Sequence, residues 1–98
     1  MEIEFADEEL DRLELDASYY AGYSAAIVTV YRKRIQMIRA AIDERAFYAM
    51  KSLHFEKLQG KRSGQYSMKL NDQWRLIITI KAQTQSKTVV VVSIEDYH

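Results

Sequence analysis

The sequence predicts an α+β fold: an N-terminal short strand and a two-helix hairpin packed on a mostly antiparallel sheet. Three observations predict it. A helical apolar period runs through residues 24–42, residues 65–70 and 73–81 alternate, and short polar turns punctuate the alternating part. With no proline and only three glycines there is no linker composition, and residues 1–98 are expected to form one domain.

Residues 1–5 alternate Glu2 and Glu4 with Ile3 and Phe5, which suits a short strand. Residues 6–16 open with acids, favourable at a helix N-terminus, and Leu10, Leu13 and Ala17 give the segment one apolar face. Gly22 marks the break at residues 18–23. Ser24 caps a second helix reaching about residue 42, with Ile27, Tyr31, Ile35, Ile38 and Ile42 on its apolar stripe and Arg32, Gln36, Arg39 and Asp43 beside it. Residues 43–52 are ambiguous; Phe47, Tyr48, Met50 and Leu53 suit a helical turn feeding a strand.

Residues 65–70 put Tyr66, Met68 and Leu70 on one face and Ser67 and Lys69 on the other. Residues 73–81 oppose Trp74, Leu76, Ile78 and Ile80 to Arg75, Ile77, Thr79 and Lys81. A two-residue Asn71-Asp72 turn would set Lys69 opposite Trp74 and mix the faces; Gln73 in the loop, or a bulge, pairs Leu70 with Trp74 and makes Lys69 and Arg75 neighbours, and the longer turn is expected. After a turn at residues 82–86, the four valines of strand 87–94 imply a central strand buried on both faces. The helices cover one face of the sheet and leave the other to basic residues.

Several function classes are excluded at once. Without cysteine there is no disulfide, thiol nucleophile or Cys-based metal site, and two histidines, His54 and His98, make a histidine metal cage unexpected. No metal and no cofactor is expected. No apolar run approaches a membrane span and the acidic start does not suit a signal peptide, so a cytoplasmic protein with no membrane role is expected. The net charge of zero conceals a division: residues 1–18 hold eight acids and one base, a charge of −7, so the remainder carries +7. Such a chain can bind a polyanion on its basic body, or simply present two solvated faces of opposite sign.

The residues that could carry chemistry cluster between positions 53 and 75 and at the C-terminus. Glu56 is a lone acid among cations, suited to act as a general base or to form a surface ion pair. Arg75, following Trp74 in a strand, could grip phosphate in bidentate fashion with Lys69 beside it, or snorkel from the sheet edge. Lys57, Lys61 and Arg62 flank a loop holding two glycines, and with Tyr66 they resemble a backbone-tracking, base-stacking surface. His98, beside Tyr97, could carry a proton, or be a frayed terminus. A base, an acid and a phosphate-binding arginine are the parts needed to cleave RNA without a metal.

The strings Phe55-Glu56-Lys57-Leu58-Gln59-Gly60, Gly64-Gln65-Tyr66-Ser67-Met68-Lys69-Leu70-Asn71-Asp72-Gln73-Trp74-Arg75 and Glu95-Asp96-Tyr97-His98 resemble the RelE/ParE toxin superfamily, most closely its HigB branch, the plasmid maintenance killer proteins. The resemblance implies a RelE-like fold and the toxin half of a type II toxin–antitoxin pair, a ribosome-dependent mRNA endoribonuclease that inhibits translation. It implies a HigA-like helix-turn-helix antitoxin as partner, with mRNA and the ribosome as targets and DNA met only through the antitoxin. By position, Arg75 matches the family's phosphate-binding arginine, His98 its C-terminal catalytic histidine and Tyr97 the aromatic beside it. Glu56 matches a position where relatives place a carboxylate or a histidine, and Lys69 a basic position on the same strand face. Gln59 stands where some relatives carry lysine. The resemblance also admits a ParE-like toxin that inhibits gyrase without cleaving RNA, and a fold relative without activity. Arg32, Gln36, Arg39 and the basic cleft are expected antitoxin contacts.

Overall fold

In the computed structural model, which describes residues 1–83 and 86–96, the elements run β1 (Glu2–Phe5), α1 (Glu8–Leu15), α2 (Ala25–Ala40), α3 (Arg45–Ala49), β2 (Glu56–Lys57), β3 (Gln65–Lys69), β4 (Trp74–Ala82) and β5 (Lys87–Asp96). Single 3₁₀ turns occupy Lys51–Leu53 and Gly60–Arg62. The five strands form one sheet in the order β1-β5-β4-β3-β2, with β1 parallel to β5 and every other pair antiparallel. This is the expected α+β architecture. No described helix is long and apolar enough to cross a membrane.

Caps start both long helices. The Asp7 carboxylate accepts from the Leu10 N–H at 2.9 Å and the Ser24 hydroxyl from the Ile27 N–H at 3.3 Å, each satisfying a donor the helix leaves open. Ile27, Tyr31, Ile35 and Ile38 of α2 join Leu10 and Leu13 of α1 and pack on Met68, Leu76, Ile78, Val89, Val91 and Ile94. Tyr31 is fully buried and its hydroxyl donates to the Leu10 carbonyl at 2.8 Å, which ties the helices together without an unpaired polar atom. Ile42 does not extend this stripe; it is 90% exposed. The helix ends at Ala40 because Ala41 turns to an extended conformation, and the carbonyls of Ile38, Arg39 and Ala41 accept from the Met1 amino group instead.

On the polar flank of α2 Gln36 and Arg39 are exposed, while Arg32 is half-buried. Arg32 donates from Nε to the Leu13 carbonyl at 2.9 Å, and from Nη2 to those of Asp16 and Tyr19 at 2.9 and 3.1 Å. It closes the C-terminal end of α1, where helix carbonyls lack partners and a cation is favoured. Arg39 forms a two-pronged pair with Glu14 at 2.7 and 3.1 Å.

Three details of the sheet place the second face. Lys69 pairs with Arg75, and the Leu70 N–H donates to the Trp74 carbonyl at 2.9 Å, so Gln73 does belong to the turn. Asn71 holds that turn, its side-chain oxygen accepting from the N–H groups of Gln73 and Trp74, both at 2.8 Å. β5 lies between two strands, as expected, but of its four valines Val89 and Val91 are buried while Val90 and Val92 are half-covered. Finally the β4–β5 register shifts between Ile77, opposite Ser93, and Ile78, opposite Val91. The extra residue, Val92, reverses the alternation, so that Ile94 reaches the core and Ser93 and Glu95 come to the face of Ile77 and Arg75.

Candidate functional site

The site is built on the sheet face away from the helices. Phe55 anchors its outer rim. It packs edge-on against Phe47 and Tyr48, at centroid distances of 5.3 and 4.8 Å, and stacks on Tyr66 at 5.2 Å. With Phe55 turned to the core, strand alternation turns Glu56 to the opposite face, and Glu56 pairs with Ser67. Lys57 pairs with Tyr66, so both of these project on the helix-covered side. Glu56, Ser67, Lys69, Ile77, Arg75, Ser93 and Glu95 thus share one surface across four strands.

Arg75 is its fixed point. The side chain is 13% exposed, and Nη2 donates to the His54 carbonyl at 2.6 Å and more loosely to that of Ser67 at 3.5 Å. Glu56 is 57% exposed and its Oε1 lies 3.9 Å from Nη2. A rigid guanidinium therefore stands beside an accessible carboxylate. His54 has left-handed backbone angles, φ 46 and ψ 47, a conformation uncommon for a non-glycine residue. Its carbonyl accepts from Arg75, and the residue is exposed. Sequence reasoning assigns His54 no role at this site; its place next to a cluster of cations and one acid is the available signal.

The remaining expected cations are distributed differently from a single basic surface. Lys69, beside Arg75, pairs with Asp72 at 2.9 Å, and this contact lowers the Asp72 carboxyl below its ordinary value. Arg62 reaches from the 3₁₀ turn to β5, binding both Glu95 oxygens at 2.7 Å, while its Nε donates to Gln65 at 2.9 Å. Ser93 adds a hydrogen bond to Glu95 at 2.6 Å. Hydrogen bonding from Arg62 holds the Glu95 carboxyl below the usual glutamate value, against the opposing effect of burial. Lys61 is exposed on the turn, and Gly60 and Gly64 on either side of it take φ values of +66 and +94 that favour glycine. Lys57 and Tyr66 stand on the other side of the sheet, where Tyr66 gives one ring face to Phe55. Tyr97 and His98 lie outside the described residues.

Two hollows lie elsewhere: one of about 510 Å³ beside β1 and the start of α1, and one of about 630 Å³ between the start of α2 and the β3–β4 turn. Among the described residues no group of three or more histidine, aspartate or glutamate side chains is placed to hold a metal ion.

A comparison with curated proteins gives no match. Among solved structures, a YoeB/ParE toxin from Agrobacterium tumefaciens aligns over 100% of both chains at 14% identity with a TM-score of 0.66, which establishes the likeness of fold. A YoeB dimer from Staphylococcus aureus aligns over 100% of this chain and 97% of its own at 17% identity, with a TM-score of 0.48. The family model for the RelE-like toxin of type II toxin–antitoxin system HigB matches residues 3–98. The match spans nearly all the sequence and every element of the sheet and helices, and the chain therefore belongs to the HigB-like, RelE-like toxins of type II toxin–antitoxin systems.

Proposed function

We propose that this toxin is a ribosome-dependent mRNA endoribonuclease that acts in the cytoplasm and inhibits translation, with residues 1–98 working as one unit. The observation that carries the reading is the pairing of Arg75, largely buried and pinned by the His54 carbonyl, with the exposed Glu56 carboxylate 3.9 Å away. In the proposed reaction Glu56 takes the proton of an RNA 2′-OH, and the oxygen attacks the adjacent phosphorus. Arg75 stabilises the charge that develops on the phosphate oxygens, with Lys69 beside it. The bond to the 5′-oxygen breaks as His98 donates a proton, leaving a 2′,3′-cyclic phosphate and a 5′-hydroxyl; Tyr97 packs by the scissile nucleotide. Glu56 and His98 can exchange roles. Lys57, Lys61, Arg62 and Tyr66 are proposed to hold RNA outside the reacting centre.

The family implies a cognate antitoxin. Its proposed form is a HigA-like helix-turn-helix protein, through which the pair meets DNA. Acidic antitoxin segments are proposed to meet the site face or the polar flank of α2, where Gln36 and Arg39 are exposed.

Induced expression should arrest growth and cut ribosome-bound mRNA, and Arg75→Ala, Glu56→Gln and His98→Ala should each suppress both effects. Intact mRNA together with inhibited gyrase supercoiling would replace this reading with a ParE-like one.

A further inference from the structure

We infer that Ser67 is a positioning residue for Glu56: its hydroxyl donates a hydrogen bond to the Glu56 carboxylate when that carboxylate turns in over the sheet toward bound RNA. The catalytic consequence rests on the ribonuclease reading above, whereas the contact itself rests on geometry. Ser67 is 0% exposed, and among the described residues its Oγ has no hydrogen-bond partner. A buried hydroxyl without a partner is unfavourable, and alanine would fill the same place without that penalty.

Among the neighbours on this face, Glu56 is the charged acceptor directly opposite Ser67. Ile77, opposite Ser67 on β4, is apolar. Gln65 already accepts from Arg62 Nε at 2.9 Å, and Lys69 offers only donors and is paired with Asp72. Glu56 is directly opposite on β2. Opposed residues in an antiparallel pair hold their Cβ atoms about 4.5–5.5 Å apart, a gap that the longer glutamate side chain spans. One carboxylate oxygen can then meet Ser67 while the other stays near Arg75, which removes rotational freedom from the proton acceptor.

The test compares Ser67→Ala and Ser67→Thr in the full-length toxin, with Ser67→Ala also made in the Glu56→Gln background. Cleavage of ribosome-bound mRNA is followed, with thermal unfolding as the folding control. Ser67→Ala should unfold no earlier than wild type and lose about tenfold in kcat with little change in KM. Ser67→Thr should recover much of the rate, and Ser67→Ala should cost nothing further once Glu56 is glutamine. A loss equally large in the Glu56→Gln background, or no loss at all, would overturn the inference. A second reading needs no activity: the ¹³C carboxyl resonance of Glu56, with a 2′-deoxy-substituted oligonucleotide bound, should move on Ser67→Ala. If wild type cuts no RNA and the resonance still moves, the ribonuclease reading fails and the Ser67–Glu56 contact stands. If the resonance does not move, the contact is wrong whatever the activity.

Discussion

Arg75 projects from the sheet face away from the helix-covered core, so its loss should be felt in chemistry more than in folding. Nη2 donates to the His54 carbonyl at 2.6 Å, and shortening the side chain to lysine keeps the charge but cannot form the same planar grip. Arg75→Lys is expected to lower kcat for mRNA cleavage by about 10²-fold with the fold intact, as read by single-turnover cleavage beside circular dichroism. Glu95 makes a complementary case. Its folded pKa is depressed, chiefly by Arg62, so its contribution to stability is present above the ordinary glutamate value and is lost as pH falls through the folded value. Wild type should therefore melt above Glu95→Gln at pH 7, and the gap should close on acidification below pH of about 4; a gap that persists there would contradict the ion-pair account. Arg75 was legible as a strand residue because alternation places it. Glu95 was not, since the face it occupies is set by a one-residue bulge at Val92 that leaves no mark in the local pattern.

Elements differ in how much local sequence decides them. The three-residue β3–β4 turn was legible because only that length lets Met68 and Leu76 share a face, and Asn71 then secures it with two side-chain hydrogen bonds. Deleting Gln73 should slip the register by one residue, carry Arg75 toward the core and abolish cleavage together with much of the stability. Thermal unfolding and cleavage of the deletion variant check this, and a well-folded, active variant would refute the register argument. β2 was not legible, because two residues cannot display a period; Phe55, held among Phe47, Tyr48 and Tyr66, does the work of defining its faces. Arg32, expected as an antitoxin contact, donates to the Leu13 and Asp16 carbonyls at the end of α1 and to that of Tyr19 in the following loop. Arg32→Ala should cost about 1.5–3 kcal/mol in chemical denaturation, because it leaves helix-end carbonyls without a charged donor.

Across the molecule, the helix layer and the site use opposite faces of one sheet, and stability and activity should be separable on that basis. Leu76 is fully buried among the helices, and Leu76→Ala should cost about 2–5 kcal/mol. One residue earlier in β4, Arg75 faces the other way. The two-layer plan was legible in the helical period of Ile27, Tyr31, Ile35 and Ile38 and in the alternation of β3 and β4. The charge plan was less so. Composition sees cations but not their partners, and Arg62, Lys69 and Lys81 are each paired with an acid: Glu95, Asp72 and Glu4. The most direct measurement of the central claim is cleavage of ribosome-bound mRNA by purified wild-type toxin set beside the folded Arg75→Ala and Glu56→Gln variants. The expected result is strand scission with a 2′,3′-cyclic phosphate end by wild type, and a loss of about 10²-fold or more in each variant. Scission at the wild-type rate by both variants would contradict the assignment of this face as the active site.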